Sequence, residues 1–199
     1  MSDPRRIGLF GGTFDPPHEA HVALARLALT ELSLDELRWI PAGEPWQKAR
    51  DITPAAQREA MVRLAMGDEP RFLLERCEIR RHGPSFTLDT VRELQAARPG
   101  AEWFLIIGQD QFANLHTWRD WRELLARVTL AVANRPGVAV EPHADVAAAA
   151  RHVVPLPMLD IASTDIRARV AAGQDITALV PAGVARYIEA NHLYQSPRG

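Results

Sequence analysis

Two histidines three residues apart, just past a pair of glycines, are the side chains in this sequence best placed to do chemistry. The segment reads Gly11-Gly12-Thr13-Phe14-Asp15-Pro16-Pro17-His18-Glu19-Ala20-His21. Glycines let a backbone approach an anion closely, and the first N–H groups of a following helix have no partner within it. The pattern therefore has the physics of a phosphate site. It is neither a Walker A loop, which needs Gly-Lys-Ser/Thr, nor Gly-x-Gly-x-x-Gly. On a first helical turn His18 and His21 share the face that meets the loop. An imidazole, titrating at ~6.5, can be cationic beside phosphates and donate to charge building on phosphorus. A zinc site fits poorly, because the hydrolase motif spaces its histidines four apart and no Cys or third His stands nearby. Either histidine alone reads as a helix-surface residue. The pair behind a Gly-Gly turn points to phosphate chemistry.

Two further segments carry candidate groups. Ile161-Ala162-Ser163-Thr164-Asp165-Ile166-Arg167 begins a helix. Ser163 and Thr164 offer hydroxyls and N–H groups there, and Arg167, one turn on, can fork a phosphate. Alone, the segment reads as readily as a capped helix. Gly108-Gln109-Asp110 follows an apolar strand, where a carboxylate can accept from ribose hydroxyls or cap the next helix. The single cysteine, Cys77, lies in a strand-like run with no Cys-His motif around it and reads as a small packing residue.

The elements that must position these groups alternate along the chain. Strands are expected at residues 7–10, 37–40, 72–79, 103–107, 128–133 and 153–157, and helices at 18–32, 54–66, 87–97, 163–172 and 181–193. A helical stretch carries Trp118, Trp121, Leu124 and Leu125, and the alanines of 147–150 form a short helical run. Thr53 is expected to cap the helix that Pro54 begins, and Gly173 to follow the end of another. Strands such as Phe104-Leu-Ile-Ile are apolar without alternation, as in a parallel sheet covered on both faces. Ligands of such sheets sit beyond the carboxyl ends of the strands, which is where the first turn lies.

Composition narrows the class. The 199 residues fit one domain, 1–199, with a C-terminal helical subregion from about 160 to 199. Lys plus Arg is 23 and Asp plus Glu 25, a net charge of −2, which argues against a polybasic nucleic-acid binder. No apolar run has the length of a bilayer span or a signal peptide, so no membrane partner and a cytoplasmic location are expected. The oligomeric state stays open.

The turn with its two histidines resembles the nucleotidyltransferase signature Gly-x-Phe-Asp-Pro-x-His/Thr-x-x-His, and nearly the whole chain is similar to bacterial nicotinate-nucleotide adenylyltransferases. His18 fits the pyridine-nucleotide branch, since the phosphopantetheine branch has Thr there. The resemblance implies a Rossmann-like, doubly wound α/β fold with a mainly parallel sheet and a small C-terminal helical part. The implied activity is adenylyl transfer from ATP to nicotinate mononucleotide. His18, His21, Lys48 and Arg167 would be catalytic, with Mg²⁺ carried on the ATP phosphates and no protein metal site. ATP would meet Gly11, Gly12, Thr13, Phe14, His21, Gly108, Asp110, Arg135, Ser163, Thr164 and Arg167, and the acceptor Lys48, Thr87 and Trp118. Thr87 lies in Pro84-Ser-Phe-Thr, similar to the family's Pro-Ser-Tyr-Thr, and Trp118 in a Thr-Trp element whose indole stacks on the pyridine ring. The chain departs from the family's pattern at Ala162, where a Ser is usual, and at Trp46 and Gln47, where Pro and His are commonest. It departs again at Arg119, where relatives often carry an aromatic residue; a cation there would favour an acidic acceptor.

Overall fold

The computed structural model describes residues 4–44, 52–134, 141–155, 159 and 161–195. Six strands, β1 (Arg6–Gly12), β2 (Glu36–Pro41), β3 (Phe72–Leu74), β4 (Glu102–Gly108), β5 (Thr129–Asn134) and β6 (Arg151–Pro155), form one sheet in the order β3-β2-β1-β4-β5-β6. Every neighbouring pair is parallel. This is the doubly wound, Rossmann-like order, with its switch point between β1 and β4.

Period-two geometry divides each central strand between two apolar layers. In β4, Trp103, Leu105 and Ile107 face one core and Phe104 and Ile106 the other. The second core receives α1 (Glu19–Glu31), α2 (Ala55–Met66), α8 (Ser163–Ala171) and α9 (Ala182–Ala190), through residues such as Leu29, Met61, Ile166, Val184 and Ile188. The first is covered by α4 (Thr87–Ala97) and α6 (Trp121–Arg127), which bury Leu88, Val91 and Leu124. Short helices α3 (Cys77–Arg80), α5 (Gln109–Ala113) and α7 (Ala144–Ala147) and a 3-10 turn, Leu115–Thr117, complete the described elements.

Register places Gly12 opposite Pro41 and Gly108 opposite Ala133. The loops after β1, β2, β4 and β5 therefore leave one edge of the sheet together.

Five expectations need correction. The strand over 72–79 stops at Leu74, and Cys77 begins α3, because the Glu75 carboxylate accepts from the N–H groups of Arg76 (2.9 Å) and Cys77 (3.1 Å) and turns the chain. Trp118 is not helical with Trp121: it follows the 3-10 turn in extended conformation, and Asp120, at φ 50°, starts α6. Pro54, not Thr53, holds the cap position of α2, and the Thr53 carbonyl accepts from Arg58 instead. The alanine helix lies earlier, at Ala144–Ala147, and the last strand, β6, begins at Arg151, two residues before Val153; residues 156 and 157 of the expected strand lie outside the described residues. Gly173 follows α8 at φ 69°, as expected of a residue past a helix end.

Candidate active site

At the carboxyl edge of β1 and β4 opens a cleft of about 470 Å³. Its floor is the turn leaving β1. A Cβ on Gly12 would stand 2.9 Å from the Phe14 ring, so only glycine fits there. Phe14, at φ 51°, folds inward and packs its ring edge against Phe10 and, at 5.1 Å, against His21. The turn thus carries its backbone to the cleft while its one aromatic side chain is buried.

His18 caps α1 and His21 sits three residues on, with their rings stacked at 3.7 Å. The His18 N–H donates to His21 Nδ1 at 3.2 Å, which makes Nδ1 an acceptor and leaves the proton of a neutral His21 on Nε2. His21 lines the cleft; His18, buried, supports it from behind. The pair is brought together as its spacing predicts, with different exposures.

The far motif docks on this turn. The Ser163 hydroxyl donates to the Pro16 carbonyl (2.9 Å), and Arg167 donates to the Asp15 carbonyl (2.7 Å) and to the Thr164 hydroxyl (3.2 Å). Ala162 holds the cap position of α8 without a side-chain cap. The segment is therefore not a Ser-capped helix: its hydroxyl ties two loops together, and the first amides of α8 stand beside the cleft that Ser163 lines.

Across the switch point Gly108 and Asp110 line the cleft. Gly108 holds the cap position of α5, so the exposed Asp110 carboxylate is not a helix cap. Ser85, Phe86, Thr87, Trp118 and Arg119 line the same cleft. Of the remaining expected residues, Thr164 is exposed at the start of α8, and Lys48 and Arg135 lie outside the described residues, as do Trp46 and Gln47.

Three residues that sequence reasoning passed over hold these parts in place. Arg58, buried on α2, donates to the carbonyls of Thr53 (2.8 Å), Thr13 (2.9 Å) and Gly43 (3.0 Å), clamping the β1 and β2 loops. Its signal was present: Arg58, Met61, Val62 and Ala65 share helical spacing, which puts an arginine on the apolar face of α2. Glu78 lines the acceptor-side wall, accepts from the Thr90 hydroxyl at 2.8 Å, and has its carboxyl pushed up by burial. Its carbonyl lies 2.1 Å from where a Gly43 Cβ would stand, and the Gly43 N–H donates to the Ser85 hydroxyl (3.1 Å). Tyr194, beyond α9, donates to Asp15 Oδ1 at 2.7 Å, and burial followed by that contact pushes its phenol up.

A glycine turn at a helix start, a second helix start tied to it, a histidine between them and a carboxylate after β4 are groups that can receive the phosphates and ribose of a nucleotide. Fold and cleft are those of a nucleotidyltransferase, and residues 9–169 match the cytidylyltransferase-like family model. A protein of Methylibium petroleiphilum named a probable nicotinate-nucleotide adenylyltransferase is 52% identical over 100% of this chain and 96% of its own. One of Bordetella pertussis with the same name is 43% identical over 96% of this chain and 98% of its own. The chain belongs to the nicotinate-nucleotide adenylyltransferases. A solved structure of Plasmodium falciparum nicotinic acid mononucleotide adenylyltransferase complexed with NaAD matches the fold at TM-score 0.80, with 16% identity, over 96% of this chain and 97% of that one.

Proposed function

We propose that the chain transfers the adenylyl group of ATP to nicotinate mononucleotide. The acceptor phosphate attacks the α-phosphorus in line; the new P–O bond forms as the bond to pyrophosphate breaks, giving deamido-NAD and pyrophosphate. The acceptor phosphate is already anionic near neutral pH, so no covalent enzyme intermediate and no strong general base are needed. Catalysis is then positioning and charge stabilisation.

The observation that carries this reading is the joining, in one cleft, of the Gly11–Phe14 turn and His21 with the start of α8 on one side and Thr87 and Trp118 on the other. In it His21, oriented by its bond from His18, donates to the α-phosphate. Arg167, Thr164, Ser163 and Lys48 hold phosphates and the departing pyrophosphate. Asp110 and Gly108 take the ribose, with Arg135 near the adenine, and Trp118 stacks on the pyridine ring.

Mg²⁺ would arrive on the triphosphate and neutralise its charge. Among the described residues no group of three His, Cys, Asp or Glu side chains could cage it, and an ion that keeps most of its water needs no such cage.

The test is pyrophosphate release from ATP and Mg²⁺ with nicotinate mononucleotide, phosphopantetheine or no acceptor. Release with nicotinate mononucleotide is expected. Release with phosphopantetheine alone would overturn the acceptor assignment, and silence throughout while ATP still binds would make the protein a nucleotide sensor.

A further inference from the structure

The acceptor end of the cleft contains a side chain with no part in the scheme above. Arg119 follows Trp118 directly and lines the cleft with it. Its guanidinium lies over the Phe86 ring, 4.7 Å from the centroid. Phe86 holds the cap position of α4, immediately before Thr87, so the residue Arg119 rests on is fixed by the same turn that presents Thr87. Stacking on an aromatic face holds a planar guanidinium in one place without consuming its N–H donors, which point outward along its edge.

Charge around the cleft makes this placement consequential. Among the described residues lining it, the ionisable side chains are His21, Glu78, Asp110 and Arg119, and Arg119 is the only permanent cation. Asp110, in the first turn of α5, is exposed, so solvent screens its charge. Glu78 lines the cleft with Ser85 and Thr87, and burial biases it toward its neutral form. Asp120 lies 3.5 Å from Arg119, but both side chains are more than half exposed, a geometry in which an ion pair leaves most of each charge available. Arg119 is thus the cation that the described lining residues set beside Trp118 and Phe86.

We infer that Arg119 is a specificity-determining residue that favours an anionic heterocycle over its neutral amide in the acceptor pocket. The inference rests on the acceptor assigned above. Nicotinate and nicotinamide mononucleotides have the same shape and differ by one negative charge on the ring substituent. A stacking indole binds both equally, so a positive charge beside it shifts the balance toward the acid, and Arg119 places one next to Trp118 in the chain. Because the guanidinium is partly exposed, its contribution is modest and falls as salt rises.

The experiment compares wild type, Arg119→Gln and Arg119→Lys by kcat/KM for nicotinate mononucleotide and for nicotinamide mononucleotide, at low and high ionic strength, after melting curves show equal stability. Arg119→Gln should lower the acid-to-amide ratio by roughly two- to fivefold, almost wholly through the acid. Arg119→Lys should restore part of the ratio, and the wild-type ratio should shrink at high salt where that of Arg119→Gln does not. A ratio unchanged in Arg119→Gln, or an equal fall with both acceptors, would overturn the inference while leaving the reaction standing. A wild-type protein inactive with both acceptors would remove the reaction and the inference with it.

Discussion

Replacing Arg58 with methionine should loosen the cleft without touching any group that meets substrate. Arg58 is 1% exposed and its guanidinium donates to three carbonyls on two loops, Thr13 after β1 and Gly43 and Thr53 after β2. A hydrogen bond from a charged group contributes about 1.5–3 kcal/mol, and three made by one side chain do not add fully. Methionine fills much of the volume but leaves buried carbonyls without that donor, so a loss of about 3–5 kcal/mol is expected. For a chain this size that corresponds to a melting temperature lower by about 6–20 °C. The measurement is thermal and urea unfolding of the variant, with kcat/KM for ATP taken well below its melting point. Because Thr13 lines the cleft, kcat/KM should fall by about 10–100-fold through misplacement of the turn. Arg63→Met is the control: it removes an exposed pair with Glu59 on the same helix, worth less than ~1 kcal/mol. A melting temperature within about 2 °C of wild type, with kcat/KM unchanged, would refute the claim that Arg58 holds the two loops.

Three other outcomes follow from the same geometry. His21→Ala should lower turnover at least ~100-fold, whereas Trp118→Ala should mainly raise the acceptor KM; steady-state kinetics separate them, and near-normal turnover in His21→Ala would refute its role at the α-phosphate. Burial pushes the Cys77 thiol up to about 12. At pH 8 a thiol reagent should therefore label the folded protein at least ~100-fold more slowly than the unfolded chain, and equal rates would contradict that burial. For Glu78, burial raises the carboxyl, so the contribution of this group to stability is full below the ordinary carboxylate range and is lost as pH rises through its elevated value. Glu78→Gln should thus gain on wild type in urea midpoint as pH rises from 4 to 7, and a variant that loses ground over that range would reverse the sign.

The sheet was legible because strands buried on both faces are apolar at their centres, as residues 103–107 of β4 and 130–133 of β5 are, and because glycine and proline punctuate the alternation. The misread strand after Phe72 has a different origin. Its apolar residues suit an extended chain, but one carboxylate, Glu75, accepts from two successive N–H groups and ends it, an effect periodicity does not register. Trp118 shows the same limit, since helical spacing to Trp121 hides a change of conformation at Asp120. Of the candidate site, the segments carried by short contiguous motifs were legible from sequence, because local backbone geometry fixes them: the β1 turn, the His pair and the start of α8, which the fold brings to one cleft. The supports were not. Arg58 reaches Thr13 from 45 residues away and Tyr194 reaches Asp15 from 179, contacts that exist only once the sheet has assembled.

The most direct measurement follows ATP labelled at its α-phosphate, incubated with Mg²⁺ and the protein, with and without nicotinate mononucleotide. With the acceptor, label should pass into deamido-NAD with one pyrophosphate released per transfer. Without it, no label should be found on the protein and no pyrophosphate should exchange into ATP. Label retained on the protein would contradict direct transfer, and label left in ATP when the acceptor is present would contradict the reaction itself.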